Sequence, residues 1–351
     1  MVENIFYNGT KLINIKRDRF GQLPEIFVVD GNRSSGKTTF FSRWLVNRFL
    51  KHGEKFMLVY RFGSELDNVE DKFFKDIGGL FFEGKEFKSL KRDHGAYCEL
   101  FLDNVPCGYA VALNFADKVK KNSHLMSDVT RMFFDEFQAQ KYVKDEAELL
   151  FSIHFSISRG KGQPVRYVPV YMCCNHISSL NPYYKAWNCA SDVDALQEGF
   201  YYGDGFVIEK NMNSVVSDRQ KQSAFNRAFK NTRSYKHSIE NESLIDNHTF
   251  VEEVKTGQSN YICTIAVNGH LISLSQLKNN DHCVFYFSDK IDPSFKVRYA
   301  INTENHSENT VLLGRSTMLV LNVKKYFEAG LVRFSSLEVK SYAFEFLMIL
   351  I

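Results

Sequence analysis

The sequence of 351 residues lacks the features that mark several common classes of protein. Its seven cysteines contain no Cys-x-x-Cys spacing, which argues against a zinc module and predicts reduced core cysteines in an intracellular protein. No apolar signal core follows Met1, and no window of about 18 uninterrupted apolar residues is present. We therefore expect a soluble, cytoplasmic protein without a membrane segment.

An excess of charge of one sign is also missing, since 44 Lys and Arg against 41 Asp and Glu leave a net charge of +3. The chain is not a global polycation, so any surface for an acidic partner such as nucleic acid must be local. No internal repeat or low-complexity tract is visible. The composition is 44% hydrophobic, which is enough to bury a sizeable core and suits a chain of two domains.

Residues 31–38 match the phosphate-binding pattern G-x-x-x-x-G-K-[ST]. An apolar strand is predicted just before the pattern, at residues 26–29, and an amphipathic helix after it, so the loop should end on a helix N-terminus that favours phosphate. In that geometry Lys37 reaches the β- and γ-phosphates of ATP and Thr38 binds Mg²⁺. The alternative is a plain glycine-rich turn. The predicted nucleotide-binding residues here are Gly31, Arg33, Ser34, Ser35, Gly36, Lys37, Thr38 and Thr39.

A second motif, at residues 131–136, is an apolar strand that ends in two acids. A carboxylate at the tip of a parallel strand near the phosphate loop is placed to hold Mg²⁺, so Asp135 takes that role. Glu136 is placed to polarise an attacking water, which makes it the predicted general base and favours hydrolysis over transfer to a substrate hydroxyl. The alternative is an edge strand that ends in solvated acids.

A third predicted strand, at residues 167–174, ends in Asn175, whose amide could sense the γ-phosphate or hold the attacking water. The alternative for Asn175 is a cap of the following turn. Between an apolar helix at 149–157 and this strand lies a basic, glycine-rich connection. Arg159 in this connection is the predicted arginine finger for a neighbouring subunit, with Lys161 and Arg166 as weaker candidates. A solvated basic loop is the alternative.

These motifs, in their order and spacing, resemble the DNA-packaging ATPases of large-terminase type, and among them those of phi-twenty-nine-like podophages. The resemblance spans about residues 4–185 and rests on short segments outside the general nucleotide motif. They are Arg33 inside the phosphate loop, the Phe-Tyr-Asn lead-in at residues 6–8, the Gly-Glu segment that ends in Arg61, the Phe-Phe-Asp-Glu-Phe segment, and Asn-Pro-Tyr at residues 181–183.

The resemblance implies an additional-strand (ASCE) P-loop fold, a mainly parallel sheet flanked by helices, that binds ATP and Mg²⁺. It also implies a homomeric ring, a pentamer in that family, docked on the portal of a procapsid in the host cytoplasm, which pushes double-stranded DNA inward. A packaging RNA is a further partner to consider. By position, Tyr7 and Lys11 would form the wall beside adenine, and the trans-acting arginine falls on Arg159.

DNA must be held through its phosphate backbone, which requires lysines or arginines on pore loops. The cluster Lys118, Lys120 and Lys121 lies just before the acidic strand and is the predicted DNA contact. A second basic stretch lies at 219–236, and at 219–230 its basic residues share a helical pattern with Phe225 and Phe229, which predicts a linker helix. Either stretch could instead be a solvated face.

The final third changes character, with short alternating strands and Asn-Gly turns followed by helical segments at 317–327 and 337–350. This predicts a small α+β domain. The resemblance to large terminases implies an RNase H-like nuclease fold at this place, and a vestigial one, because Thr264 and Ala266 stand where a two-metal nuclease needs an acid. Nuclease activity is predicted to be absent. The expected domains are 1–197 for the ATPase, 198–246 for a helical linker, and 247–351 for the nuclease-like domain.

Other functions fit parts of this pattern. A P-loop helicase or remodelling ATPase would use the same Lys37, Asp135, Glu136 and Arg159, but nothing after residue 200 looks like a second motor domain. A nucleotide-binding switch is disfavoured by Glu136. A kinase would need an acceptor pocket and a lid, of which the sequence gives no sign.

Overall fold

The computed structural model describes residues 6–159, 162, 164–211, 214–239, 246–254, 259–279, 282–314 and 316–350. Contacts divide the chain into two compact units, Met1–Ile245 and Asp246–Ile351. Within the described residues, no helix combines the length and the hydropathy needed to cross a bilayer.

The first unit is built on one nine-stranded sheet. Its strands are β1 (Ile26–Gly31), β2 (Lys55–Tyr60), β3 (Phe87–Arg92), β4 (Tyr97–Leu102), β5 (Val105–Ala112), β6 (Val129–Asp135), β7 (Val170–Asn175), β8 (Gly199–Tyr202) and β9 (Phe206–Asn211). Its helices are α1 (Thr10–Ile13), α2 (Lys37–His52), α3 (Val69–Phe73), α4 (Lys75–Phe81), α5 (Ala116–Asn122), α6 (Glu146–Ile157), α7 (Pro182–Ala186), α8 (Ala190–Ala195), α9 (Ser214–Gln222), α10 (Ala224–Ala228) and α11 (Arg233–Ile239).

The strand order is β3-β4-β5-β2-β6-β7-β1-β9-β8. The six strands from β5 to β9 are parallel, and antiparallel pairs occur only at the two edges, β3-β4-β5 and β8-β9. Strand β7 lies between β1, which leads into the phosphate loop, and β6, which ends in the acids. This inserted strand is the one that defines the additional-strand P-loop fold, so the predicted fold class is confirmed.

The central strands are continuous apolar runs because both faces of the sheet are covered. Successive side chains alternate between two hydrophobic clusters, as the period of a strand requires. One cluster contains Val28, Met57, Phe134 and Met172, and the other contains Phe27, Leu58, Phe133 and Tyr171. Helix α2 covers the second cluster with Phe41 and Leu45.

The region expected to be a helical linker, 198–246, differs from that expectation. Strand β9 pairs with β1 through the buried residues Phe206, Val207 and Ile208, so β8 and β9 complete the first sheet. The basic stretch that follows is not one helix, because α9 and α10 are separated at Ser223, whose backbone is extended (ψ 133°). Phe225 and Phe229 contact each other with their ring planes tilted by 35° and centroids 4.8 Å apart, and both remain exposed.

The second unit is the expected α+β domain. It contains β10 (Ser259–Val267), β11 (His270–Asn279), β12 (His282–Ser288), β13 (Arg298–Ala300), β14 (Thr310–Leu312), α12 (Met318–Glu328), β15 (Val332–Phe334) and α13 (Leu337–Leu350). Strands β10 to β12 form an antiparallel meander, and β13 and β14 run parallel to β10 on its other side, the arrangement of an RNase H-like sheet. Asn268 and Gly269 turn the first hairpin with φ of 48° and 80°, the left-handed conformation of a type I′ turn.

Candidate functional site

The phosphate loop connects β1 to α2, which begins at Lys37 with Gly36 as its N-cap. The Lys37 ammonium lies inside the loop and donates hydrogen bonds to Asn32 O at 2.6 Å, Gly31 O at 3.2 Å and Ser35 Oγ at 3.2 Å. The first turn of this 16-residue helix directs its free N–H groups into the same space. The loop therefore has the form of an anion cradle centred on one cation.

The two glycines of the loop serve different purposes. Gly36 has φ of 94°, a conformation that side chains rarely adopt, so the turn into α2 requires glycine. Gly31 needs no unusual φ, but a Cβ atom there would lie 2.2 Å from the carbonyl oxygen of Asn211. Gly31, predicted from the sequence as a nucleotide-binding residue, is thus required by the close approach of β1 to β9.

Asp135 at the end of β6 faces the start of α2. Its Oδ1 accepts hydrogen bonds from Thr38 Oγ1 at 3.1 Å, from the Glu136 amide at 3.0 Å and from Cys173 Sγ at 2.8 Å. Burial raises the pKa of the Asp135 carboxyl, and these donors offset part of the increase. A hydroxyl and a carboxylate oxygen at this separation suit neighbouring ligands of Mg²⁺, whose octahedral sites lie about 3 Å apart for ligands at about 2.1 Å.

Glu136 follows Asp135 in the left-handed conformation, with φ of 53°. Its side chain lines the same cavity as Lys37 and Thr38. Partial burial and then the adjacent Asp135 carboxylate raise the pKa of Glu136, while Arg33 acts in the opposite direction. The turn therefore directs the two acids differently, since Asp135 contacts Thr38 and Glu136 faces the cavity.

Asn175, the last residue of β7, reaches the phosphate loop from the other side. Its Oδ1 lies 3.4 Å from Lys37 Nζ, at the outer limit of a hydrogen bond. The next residue, His176, is buried and its Nδ1 lies 2.9 Å from Asp30 Oδ2 under the loop. The Asn175 amide therefore lies beside the Lys37 ammonium, and the His176 ring is held at the carboxylate near the end of β1.

One cavity of about 840 Å³ joins these groups. The predicted residues that line it are Tyr7, Arg33, Ser34, Ser35, Gly36, Lys37, Thr38, Thr39, Asp135, Glu136 and Asn175. Gly31 and Lys11 do not line it. The remaining lining residues were not predicted and are Phe6, Asn8, Phe40, Arg43, Leu80, Phe81 and Cys174.

The far wall of the cavity is apolar, as a base-binding region requires. Phe6, Leu80 and Phe81 are exposed there, and the Arg43 guanidinium lies 4.2 Å from the centre of the Phe81 ring. Tyr7 is buried behind this wall, where its hydroxyl donates to Glu209 Oε2 at 2.6 Å and its amide to Ser35 O at 2.8 Å. Tyr7 thus ties the N-terminal segment to the phosphate loop and supports the wall. The Phe-Tyr-Asn lead-in was the only sequence signal for it.

The two arginines proposed as fingers have different surroundings. Arg166 donates to Ile157 O at 2.7 Å and to Val129 O at 3.2 Å, so it caps α6 within its own subunit. Arg159 is exposed, and its guanidinium lies over the Phe155 ring at 4.6 Å. Among the described residues, no carboxylate pairs with Arg159. Lys161 lies outside the described residues.

The three lysines expected to contact DNA lie on α5, away from the cavity lining. Lys118 and Lys121 are exposed, three residues apart on one face. Lys120 is half-buried and pairs with Asp117 at 2.7 Å. Two of the three charges are thus directed to solvent.

The comparisons with known proteins extend over the whole chain. A family model described as podovirus DNA encapsidation protein (Gp16) matches residues 1–350. The chain belongs to this family. This encapsidation protein is similar to the DNA packaging protein of Bacillus phage PZA, with 25% identity over 351 residues and 98% of each chain covered.

The fold of the encapsidation protein is also found in solved structures. A chain of the bacteriophage Phi-29 viral genome packaging motor assembly matches 99% of this chain and 100% of its own length, with a TM-score of 0.73 and 24% identity. The Phi-28 gp11 DNA packaging motor matches 98% of each chain with a TM-score of 0.59 and 17% identity. The predicted relationship to phage DNA-packaging ATPases is therefore confirmed.

Proposed function

We propose that this encapsidation protein hydrolyses ATP to drive double-stranded DNA into a procapsid, as one subunit of a ring at the portal. The observation that carries the proposal is the meeting of Lys37, the Thr38–Asp135 pair and Glu136 in one cavity. A nucleotide-binding scaffold needs a cradle and a metal site, but it does not need a second acid facing the cavity. Membership of an encapsidation family supplies the purpose of the hydrolysis.

The residues divide the chemistry as follows. Lys37 and the amides at the start of α2 hold the β- and γ-phosphates, and the apolar wall holds the base. Thr38 and Asp135 would hold Mg²⁺, which neutralises charge on the phosphates when bound. Glu136 accepts a proton from the attacking water as the water oxygen bonds to the γ-phosphorus. The bond between the γ-phosphorus and the β–γ bridging oxygen breaks, and its electron pair stays on ADP.

Arg159 supplies positive charge to a neighbouring subunit's γ-phosphate, and Asn175 positions the water or reports the phosphate to β7. Support for Arg159 is its exposure and its lack of a carboxylate partner among the described residues, whereas Arg166 is committed to α6. A site shared in this way requires a head-to-tail interface between subunits, which closes into a ring when the rotation between neighbours allows it. We propose that this ring is a pentamer in the host cytoplasm.

The lysines of α5 would contact the DNA backbone. The second unit would be a docking domain, for the portal or for a packaging RNA, without nuclease activity. Support for the latter is that β10 carries Thr264 and Ala266 at the positions where a nuclease of this fold needs an acid.

The function is tested by measuring ATP hydrolysis by the purified protein alone, with double-stranded DNA, and with DNA and procapsids together. We expect turnover to rise with both additions and DNA to become protected from nuclease inside the capsid. Turnover that ignores DNA and procapsids would refute the packaging role and favour a remodelling ATPase.

The base assignment is tested by Glu136→Gln, which keeps the size of the side chain and removes the proton acceptor. We expect kcat to fall by about 10²- to 10⁴-fold while Mg-ATP still binds. Glu148→Gln on the exposed side of α6 is the control for loss of one surface carboxylate, and its turnover should be unchanged. Normal turnover in Glu136→Gln would overturn the assignment.

A further inference from the structure

Arg61, which follows β2 directly, holds the backbone on the carbonyl side of the catalytic turn. Its guanidinium is buried and donates to Phe137 O at 2.7 Å and, more weakly, to Glu136 O at 3.4 Å. On the amide side, the Glu136 and Phe137 N–H groups are held by Asp135 Oδ1 at 3.0 Å and by Cys173 O at 3.2 Å. The left-handed conformation of Glu136, which is unfavourable for this residue type, is therefore fixed from both sides.

The same guanidinium is also hydrogen-bonded to the first residue of α6. Its Nε and Nη2 donate to the two carboxylate oxygens of Glu146 at 2.8 Å and 3.0 Å, a bidentate pair that is almost fully buried. Glu146 is the first residue of α6 and also accepts hydrogen bonds from the Val143 amide at 3.0 Å and the Tyr183 hydroxyl at 2.9 Å. One planar side chain thus bonds the catalytic turn and the first turn of a helix at once.

Helix α6 ends at Ile157, two residues before Arg159. Its 12 residues span about 18 Å at 1.5 Å per residue. The buried residues Leu150, Ile153 and Ile157 pack the helix into the first hydrophobic cluster, and its hydrogen-bonded turns keep the two ends in a fixed relation. The backbone of Glu136 in one ATP site and the arginine offered to the next site are therefore joined by a continuous chain of buried contacts and one helix.

We propose that Arg61 is a positioning residue that couples the Glu136 turn to α6, and through α6 sets where Arg159 is presented to the neighbouring subunit. The proposal rests on the proposed role of Arg159 in trans. It gives a role to Arg61 and Tyr183, which lie in two of the segments that carry the family resemblance and which take no direct part in the proposed hydrolysis. Lysine cannot replace Arg61, because a single ammonium cannot span a carboxylate and two carbonyls.

The test uses rings mixed from two variants of the full chain. Acceptor subunits carry Arg159→Ala and keep Glu136, and donor subunits carry Glu136→Gln and keep Arg159. Neither hydrolyses ATP efficiently alone, but a random equal mixture places a donor beside an acceptor at about one quarter of the interfaces, where activity should return. Arg61→Lys is then added to the donor, whose own ATP site is already inactive.

We expect Arg61→Lys in the donor to lower the recovered kcat by about 10-fold or more, with KM for ATP changed by less than about 3-fold, because the finger is displaced in space. Arg131→Lys is the matched control, since Arg131 is another buried arginine, paired with Glu54 at the opposite end of β6. That variant should leave recovery unchanged. ATP binding by the donor shows that it is folded, and Glu146→Gln replaces Arg61→Lys if it is not.

The outcomes separate the two ideas. If ATPase activity does not recover in the parent mixture, Arg159 is refuted as a trans-acting residue, and the coupling through Arg61 is refuted as well. If the parent mixture recovers ATPase activity and Arg61→Lys in the donor does not lower it, the coupling is refuted while the trans role of Arg159 stands. Equal losses for Arg61→Lys and Arg131→Lys would also overturn it, because they would show a general sensitivity to buried ion pairs.

Discussion

Replacement of Gly31 by alanine tests why the first glycine of the phosphate loop is needed. The added Cβ would lie 2.2 Å from Asn211 O, about 1 Å closer than van der Waals contact allows between two strands that pair in parallel. Overpacking of this kind costs about 1–3 kcal/mol, and each ladder hydrogen bond broken as β9 moves adds about 1 kcal/mol. We therefore expect Gly31→Ala to destabilise the first unit by about 3 kcal/mol.

For a unit of this size, about 3 kcal/mol corresponds to a fall in Tm of about 6–12 °C. Thermal denaturation measures this, and binding of a fluorescent ATP analogue at low temperature measures the cradle separately. Gly79→Ala is the control, because a Cβ in that helix meets nothing within 4 Å and should leave Tm unchanged or slightly higher. A variant with unaltered Tm that fails to bind nucleotide would refute the strand-contact explanation and favour a direct role of Gly31 in nucleotide binding.

Three further predictions follow from the site. Burial raises the pKa of the Glu209 carboxyl, so the folded protein favours its neutral form, and the stability that this contributes is lost as the pH rises through the folded-state pKa. In thermal scans, the Tm of Glu209→Gln minus that of the wild type should therefore increase as the pH is raised above the ordinary pKa of a glutamate, and a difference that does not change with pH would contradict this. Thr38→Ala should raise the Mg²⁺ concentration for half-maximal hydrolysis about 10-fold or more, with Thr38→Ser near the wild type, and equal requirements would remove Thr38 from the metal site. Changing the α5 lysines Lys118, Lys120 and Lys121 to glutamine should weaken DNA binding and reduce its dependence on salt. The control changes three exposed lysines that pair with acids, Lys85, Lys88 and Lys91, and should leave DNA binding unchanged. Equal effects of the two triple variants would exclude α5 as the DNA contact.

The parts of the site that the sequence predicted are those in which local pattern and chemistry coincide. The strand–loop–helix around Lys37 and the apolar strand that ends at Asp135 are continuous segments whose periodicity is visible without the fold. Helices α12 and α13 were predicted to within one or two residues for the same reason.

The parts that were missed depend on contacts between distant segments. Leu80 and Phe81 line the cavity from α4, a short helix with no sequence signal, which packs against α2 and places Phe81 against Arg43. The sequence preferred Arg159 to Arg166 as the arginine finger, and this stays a prediction, but the reason to set Arg166 aside, its bonds to the backbone of its own subunit, is visible only in the structure. The reason for Gly31 lay in a strand that starts at Phe206, far along the chain.

The alternation of side chains between the two hydrophobic clusters has a consequence for how such chains can diverge. Phe133 and Asp135 point to the α2 side of the sheet and Phe134 to the opposite side, so the parity of positions along β6 decides which acid meets Thr38. An insertion or deletion of one residue between Arg131 and Asp135 would exchange the two faces and present the wrong acid to α2, unless a bulge took it up as the irregularity at Thr130 does between Val129 and Arg131. Relatives of this protein should therefore keep the parity of this strand, with any odd change in its length taken up by a bulge.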